Sequence, residues 1–485
     1  MVILAALAVA GYLLAAHRTY RIGFPLDDAW IHQTYARNLA RHGEWAFVPG
    51  HPSAGSTAPL WSFLLAAGYL TGLAPYGWTF TLGVLTLAGL ACAGVWGLGV
   101  LQPALPARWR WLGGALLALE WHLVWAAASG METLLVALLT TLAVLWMVRG
   151  VRHWAVLGGL IGLGMWVRPD VVTLLGPAGL TLGLQFLRAR RWQSGAVLRL
   201  LAGFAAGFLP YLLFNRWLAG AWWPNTFYAK QAEYAVLRQA SLLARLGREM
   251  FVPLVGAGAL LLPGVAVTLR QAAGQRRWMI FGGALWSLGY MGLYALRLPV
   301  TYQHGRYLIP AMPIFFLWGF SGVLETLQRA RGSLWGRVLS RSWGVTLGLV
   351  LVSFYALGGR AYGQDVAVIE SEMVAASHWV NAHTPRGSLI AAHDIGALGY
   401  FGERDLLDLA GLVSPEVIPF IRDERQLAAY LNARGAQYLV SFPGWYPGLT
   451  RCGDVVYTSG GIFAPAQGGE NVLVYRWHEN CVPDE

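Results

Sequence analysis

The run Pro59-Leu60-Trp61-Ser62-Phe63-Leu64-Leu65-Ala66-Ala67-Gly68-Tyr69-Leu70-Thr71-Gly72-Leu73 decides how this chain threads a membrane. It is apolar, yet shorter than the roughly 20 residues a helix needs to cross a bilayer. Counted as a full span, it inverts every later loop and puts most of the arginines outside. Counted as an interfacial or re-entrant helix within the first outer loop, it sorts the charges. The loops carrying Arg108/Arg110, Arg149/Arg152, Arg188/Arg190/Arg191, Arg270/Arg276/Arg277 and Arg329/Arg331/Arg337/Arg341 then share the cytoplasmic side, with Glu325 as their only acidic neighbour. Asp27, Asp28, Glu44, Glu132, Asp170, Glu233 and Glu249 fall on the other side. The positive-inside rule selects this second topology, with about eleven spans, a cytoplasmic N-terminus and an external C-terminal domain.

Composition sets the class. Of 485 residues 56% are hydrophobic and 12% charged, which no soluble globular chain requires; the sequence reads as a polytopic α-helical membrane protein. Its spans are Val2–Ala16, Trp78–Leu101, Trp111–Ala127, Leu134–Val148, Trp154–Val167, Val171–Leu187, Val197–Leu218, Phe251–Leu269, Trp278–Leu296, Tyr307–Leu324 and Trp343–Leu357. The first lacks a basic leader and a small-residue cleavage site, so it is expected to be retained. The net charge of +11 arises wholly before Arg360, where 27 basic residues face 9 acids; from Arg360 to the end 15 acids outnumber 8 arginines. The basic excess therefore reports topology, and nucleic acid is not an expected partner.

The chain divides into a multi-span domain, 1–359, with a first outer loop at about 18–77, and a small external α/β domain, 360–485. Within the loop, Asp28–Arg41 reads as an amphipathic surface helix. In the C-terminal domain, Glu370–His383 and Glu424–Arg434 read as helices and Ser388–Ala392, Leu406–Leu409, Gln437–Ser441 and Val472–Trp477 as strands. Cys92 is expected to pack within a span. Cys452 and Cys481 have the placement to pair outside the cell, although spacing alone does not join them.

Polar variety concentrates in the outer loops, so the chemistry is expected there. Asp27-Asp28 opens the first. A carboxylate beside a lipid phosphate suits proton removal from an incoming hydroxyl, and Asp28 also suits a divalent cation, Mg or Mn; the alternative is a helix N-cap. Lys230, the only lysine of the chain, sits near Asn225 and Tyr228 and reads as a phosphate contact. Glu120, inside a span beside His122, calls for a wet cavity or a partner. Glu132 suits acceptor orientation or a helix cap. Arg168 and Asp170 read as substrate contacts or as a pair across Pro169. His304 and Arg306 read as phosphate neutralisers or snorkelling anchors. His393-Asp394 reads as a strand-end turn before a helix at Ile395–Tyr400.

These pieces resemble the GT-C superfamily of multi-span glycosyltransferases, which take polyprenyl-phosphate sugars as donors. The similarity is closest to the bacterial branch containing the terminal arabinofuranosyltransferase of mycobacterial cell-wall assembly. It rests on Leu26-Asp27-Asp28-Ala29-Trp30-Ile31 with Tyr35-Ala36-Arg37-Asn38-Leu39, then Ser129-Gly130-Met131-Glu132-Thr133 and Arg168-Pro169-Asp170. Pro224-Asn225-Thr226-Phe227-Tyr228-Ala229-Lys230 and Arg306-Tyr307-Leu308-Ile309-Pro310 follow in the same order. The resemblance implies a GT-C-like fold with juxtamembrane helices in the first outer loop, Asp27 as catalytic base, and inverting transfer from a membrane-bound donor. Ser53-Ala54-Gly55-Ser56-Thr57 departs from the arabinosyl branch after the Pro-Gly turn, so sugar identity is not carried over.

The resulting expectation is a glycosyltransferase whose partners are a polyprenyl-phosphate sugar, a glycan, glycolipid or protein acceptor, and membrane lipids. A lipid-linked-sugar flippase is the alternative; it calls for polar residues on both sides and an internal repeat, neither of which the sequence shows.

Overall fold

The computed structural model describes residues 1–189 and 194–483; Arg190 and Arg191 lie outside them. Among the described residues, seven helical runs are long and apolar enough to cross a bilayer: Val2–Thr19, Pro75–Leu101, Pro169–Leu187, Ser194–Ala219, Trp278–Arg297, Tyr302–Arg329 and Leu334–His383. Helices are the natural solution because each satisfies its own backbone where no water can. Two broken pairs add up to two more: Ala107–Leu119 with Trp121–Ala128, bent by 57°, and Leu242–Leu254 with Ala257–Gly274, bent by 99°. The first break falls at Glu120, whose backbone is extended and whose side chain caps the next helix by accepting from the Leu123 amide. The second falls after Pro253 at Gly256, where φ is +90°. Thr133–Arg149 and Trp154–Gly164 are apolar but shorter, and a count of about eleven requires both as spans.

Small residues set the closest approaches. Gly159 and Gly162 face Gly203 and Gly207, and a Cβ on Gly158 would lie 2.0 Å from the Leu200 carbonyl oxygen. This is small-residue contact between lipid-embedded helices.

Pro59–Leu70 has 12 residues, about 18 Å of helix against roughly 30 Å of hydrocarbon. It packs instead on the helix Asp28–His42 through Ala36, Trp61 and Leu65. Between these helices lies a short hairpin, β1 (Ala46–Val48) and β2 (His51–Pro52), which the sequence reading passes over.

Helix Leu334–Ile369 continues through a wide turn, Glu370–Val374, into Ala375–His383. The chain then enters a sheet of β3 (Leu389–Ala392), β4 (Asp405–Asp408), β5 (Tyr438–Ser441), β6 (Gly453–Thr458) and β7 (Leu473–Trp477), in the order β4-β3-β5-β7-β6. β3 is parallel to β4 and β5, whereas β7 runs antiparallel to β5 and β6. The edge strand β6 went unread because none of its side chains is fully buried, so no inward face marks it. Cys452 and Cys481 are disulfide-bonded. Cys92 lies on an exposed helix face rather than in the packed interior.

Candidate active site

Asp28 begins the helix Asp28–His42 and lines a cavity of about 320 Å³. Its Oδ2 accepts from Arg306 Nη2 at 2.6 Å and lies 3.5 Å from Lys230 Nζ. The Tyr307 hydroxyl completes the corner, accepting from both cations at 3.0 Å. Burial pushes the Asp28 carboxyl up, but Lys230 and Arg306 outweigh it and hold it below the usual carboxylate range. Lys230 is shifted the opposite way: burial disfavours its charge, yet Asp28 holds the ammonium above its ordinary value.

Asp27 does something else. It stands at the N-cap position but makes no side-chain bond to its own helix. Its two oxygens accept from the backbone amides of Gly396 and Ala397, at 2.6 and 2.8 Å, where the C-terminal domain begins a helical turn. Helix N-termini hold carboxylates in this way. Gly396 permits the approach, since a Cβ there would lie 2.0 Å from the Asp27 carbonyl oxygen. Asp27 is buried and is absent from the cavity wall. Burial and the neighbouring Asp394 push its carboxyl up further than the two amides pull it down. In the structure the carboxylate that lines the cavity is that of Asp28, while Asp27 binds the backbone of the C-terminal domain.

A second polar cluster lines the same cavity. Arg168 lies 3.9 Å from Glu132 and 3.4 Å from Asp170, and donates to the Tyr294 hydroxyl at 2.6 Å. Tyr290 and Tyr294 both donate to Asp170 Oδ2 at 2.5 Å. His32 Nε2 is 3.5 Å from Glu132 Oε2, while its Nδ1 meets Ser62 and Ser56. The two clusters adjoin at Tyr307, whose ring lies 5.2 Å from the Arg168 guanidinium and 4.9 Å from that of Arg306, and the cavity wall also includes the apolar Val172, Trp223, Phe227 and Leu293.

Four expected contacts lie elsewhere. Asn225 is buried and donates to the Leu412 carbonyl, fixing a loop. Tyr228 is exposed and does not line the cavity. His304 is paired with Asp365 at 2.8 Å, in a turn where Gln303, His304 and Gly305 all have positive φ. Glu120 is bonded to His122 at 2.8 Å beside the bend it caps. His393 is a docking residue, bonded to Glu233 at 3.1 Å and Tyr446 at 2.7 Å.

His32, Tyr290, Tyr294 and Tyr307 escaped the sequence reading. His32 stands four residues after Asp28, one helical turn along the same face. Tyr290 and Tyr294 stand one turn apart in an apolar helix, where buried phenols need partners. Among the described residues, no group of three or more His, Cys, Asp or Glu is arranged to hold a metal. At Asp28 the donor set does not fit a divalent cation, because two fixed side-chain cations already face the carboxylate.

The fold has known counterparts. The structure of ArnT from Cupriavidus metallidurans bound to undecaprenyl phosphate aligns over 98% of this chain and 97% of its own, at 14% identity and TM-score 0.57. The apo oligosaccharyltransferase of Archaeoglobus fulgidus aligns over 90% of this chain and 69% of its own, at 10% identity and TM-score 0.54. Arabinofuranosyltransferase AftD from Mycobacteria aligns over 98% and 41%, at 17% identity and TM-score 0.46, too low a score to add to the comparison. These neighbours are GT-C superfamily members, and the fold of this chain is GT-C-like, with a small sheet domain at its C-terminal end. A family profile described as a domain of unknown function, DUF8728, matches residues 361–475. No curated protein matches the sequence.

Proposed function

We propose that this GT-C-fold membrane protein is an inverting glycosyltransferase that moves a sugar from a polyprenyl-phosphate carrier to a glycan, glycolipid or protein acceptor on the non-cytoplasmic face. The observation carrying this reading is the corner of two buried cations, Lys230 and Arg306, that share Asp28 in a cavity whose wall is otherwise largely apolar. An isoprenoid tail fits the apolar wall. Its phosphate meets Lys230 and the Nε and Nη1 groups of Arg306, which are buried and have no hydrogen-bond partner among the described residues. That undecaprenyl phosphate binds ArnT agrees with such a ligand.

Chemistry follows from charge. A phosphate at Lys230 and Arg306 offsets the field that holds Asp28 acidic, so its carboxylate gains basicity once donor is bound. Asp28 then takes the proton of the acceptor hydroxyl as that oxygen attacks the anomeric carbon. The new carbon–oxygen bond forms as the bond to the phosphate oxygen breaks, and the two cations receive the charge of the departing lipid phosphate. A single displacement inverts the anomeric centre. The arginine-rich loops agree with a cytoplasmic position for the opposite face, and the Cys452–Cys481 disulfide suits an oxidising compartment.

The test is transfer of label from radioactive polyprenyl-phosphate sugars to membrane acceptors by the reconstituted protein. Covalent transfer that is lost in Arg306→Ala supports the reading. Movement of the lipid-linked sugar across the bilayer with no new glycosidic bond would instead make the protein a flippase.

A further inference from the structure

At the arginine-rich ends of the spans the helices leave a second cavity, and we propose that it holds one anionic phospholipid, with the lipid phosphate among Arg110, Arg149 and Arg277. The site is independent of the chemistry at Asp28.

Helix Pro75–Leu101 joins the two regions. Near its start Tyr76 and Phe80 pack on Phe24, and Tyr76 also on Trp30, beside Asp28. From Tyr76 to Trp96 the helix rises about 30 Å, one hydrocarbon thickness. A cavity of about 860 Å³ opens there, between the end of Pro75–Leu101, the start of Ala107–Leu119, the end of Thr133–Arg149 and the turn before Trp278. Trp96 and Trp111 line it, as indoles do where a bilayer meets water.

Charge decides what fits. Three arginines line this cavity, and among the described residues no acid does. Two of the guanidiniums are fixed by backbone carbonyls. Arg277 donates to Val100 and Leu101 at 2.6 Å each, and Arg110 to Pro103 and Leu105 at 2.9 Å each. Carbonyls hold these charges in place without cancelling them. They leave Arg277 Nε and Arg110 Nη1 without a partner among the described residues. A Cβ on Gly99 would lie 3.0 Å from that Nη1, which sets the free group against the cavity wall. Arg149 is exposed at the end of its helix and has no ion-pair partner among the described residues.

A cluster of guanidiniums without a counter-charge suits a phosphate, whose several oxygens accept from all three. The rest of the wall is apolar, with Trp96 and Val148 beside the exposed Cys92. It receives an acyl chain, which a soluble phosphate ester lacks. Basic pockets between spans hold anionic lipid headgroups by this combination.

The experiment offers the full chain in neutral detergent an equimolar mixture of phosphatidylglycerol and phosphatidylcholine, and counts the retained lipids by native mass spectrometry. One arginine beside an anionic headgroup is worth about fivefold in affinity, so three should favour phosphatidylglycerol by roughly a hundredfold. Arg149→Gln should lower that preference about fivefold. Arg152→Gln, an exposed arginine three positions along that does not line the cavity, should leave it unchanged. Equal retention of the two lipids would overturn the proposal, as would equal losses in the two variants, which would mean a general surface attraction. Displacement of the phosphatidylglycerol by millimolar glycerol 3-phosphate would overturn it too, by assigning the arginines to a soluble phosphate ester.

Discussion

Gly396→Ala tests the joint between the sheet domain and the acidic pair without touching an acid. A Cβ at this position would lie 2.0 Å from the Asp27 carbonyl oxygen and 2.7 Å from its Oδ2. Neither partner can yield cheaply, since one is backbone and the other is held by two amides. The turn at Gly396 must therefore retreat from Asp27, loosening two hydrogen bonds to a carboxylate worth about 1.5–3 kcal/mol each. Asp28 is the next residue, and a displacement of about 1 Å at a reacting group costs roughly 100-fold in rate. Transfer should thus fall by about two orders of magnitude. Affinity for undecaprenyl phosphate, set by Lys230 and Arg306, should stay within about threefold of wild type. The assays are initial-rate transfer from a labelled donor and titration with undecaprenyl phosphate in nanodiscs. Wild-type transfer by Gly396→Ala would refute the placement of the sheet domain against Asp27.

Two further outcomes are expected. The domain joint should loosen between pH 5 and 8, read as rising protease cleavage at the junction. Burial pushes the Asp27 and Asp394 carboxyls up, Asp394 to about 6, and acids that hold protons more tightly when folded lose that stability as pH rises. His393 acts in the same direction: burial lowers it, but Glu233 raises it further. Glu233, which burial raises and His393 lowers more, opposes this trend only below the usual carboxylate range. Cleavage that falls with rising pH would contradict this. Separately, Gln303→Gly should raise thermal stability by about 0.5–1 kcal/mol, because Gln303 has φ of +55° and left-handed backbone costs side-chain-bearing residues about 1–2 kcal/mol before the entropy of glycine is subtracted. A drop in melting temperature would show that the turn before Arg306 is unstrained.

The parts of this molecule that are legible in sequence are those written in local pattern. The run after Ala58 forms a short helix, Pro59–Leu70, packed on Asp28–His42, and the acids at positions 27 and 28 mark a helix start beside the cavity. What escaped depends on tertiary contact. Asp27 and Asp28 are neighbours with equal chemistry, and only the arrival of Gly396, hundreds of residues away, gives one to the domain joint and the other to the cavity. His304 and Arg306 look alike as outer-edge cations, yet a turn with three positive φ values sends one to Asp365 and the other to Asp28. Asn225 and Tyr228 share a helix with Lys230 but face away from the cavity it lines.

The most direct measurement is transfer from a labelled polyprenyl-phosphate sugar by Asp28→Asn, with undecaprenyl-phosphate affinity measured on the same preparation. Asparagine keeps the shape beside Arg306 and Lys230 but cannot take a proton from the acceptor. The account predicts that glycosidic-bond formation is lost while the lipid phosphate still binds. Sustained transfer by Asp28→Asn would contradict it.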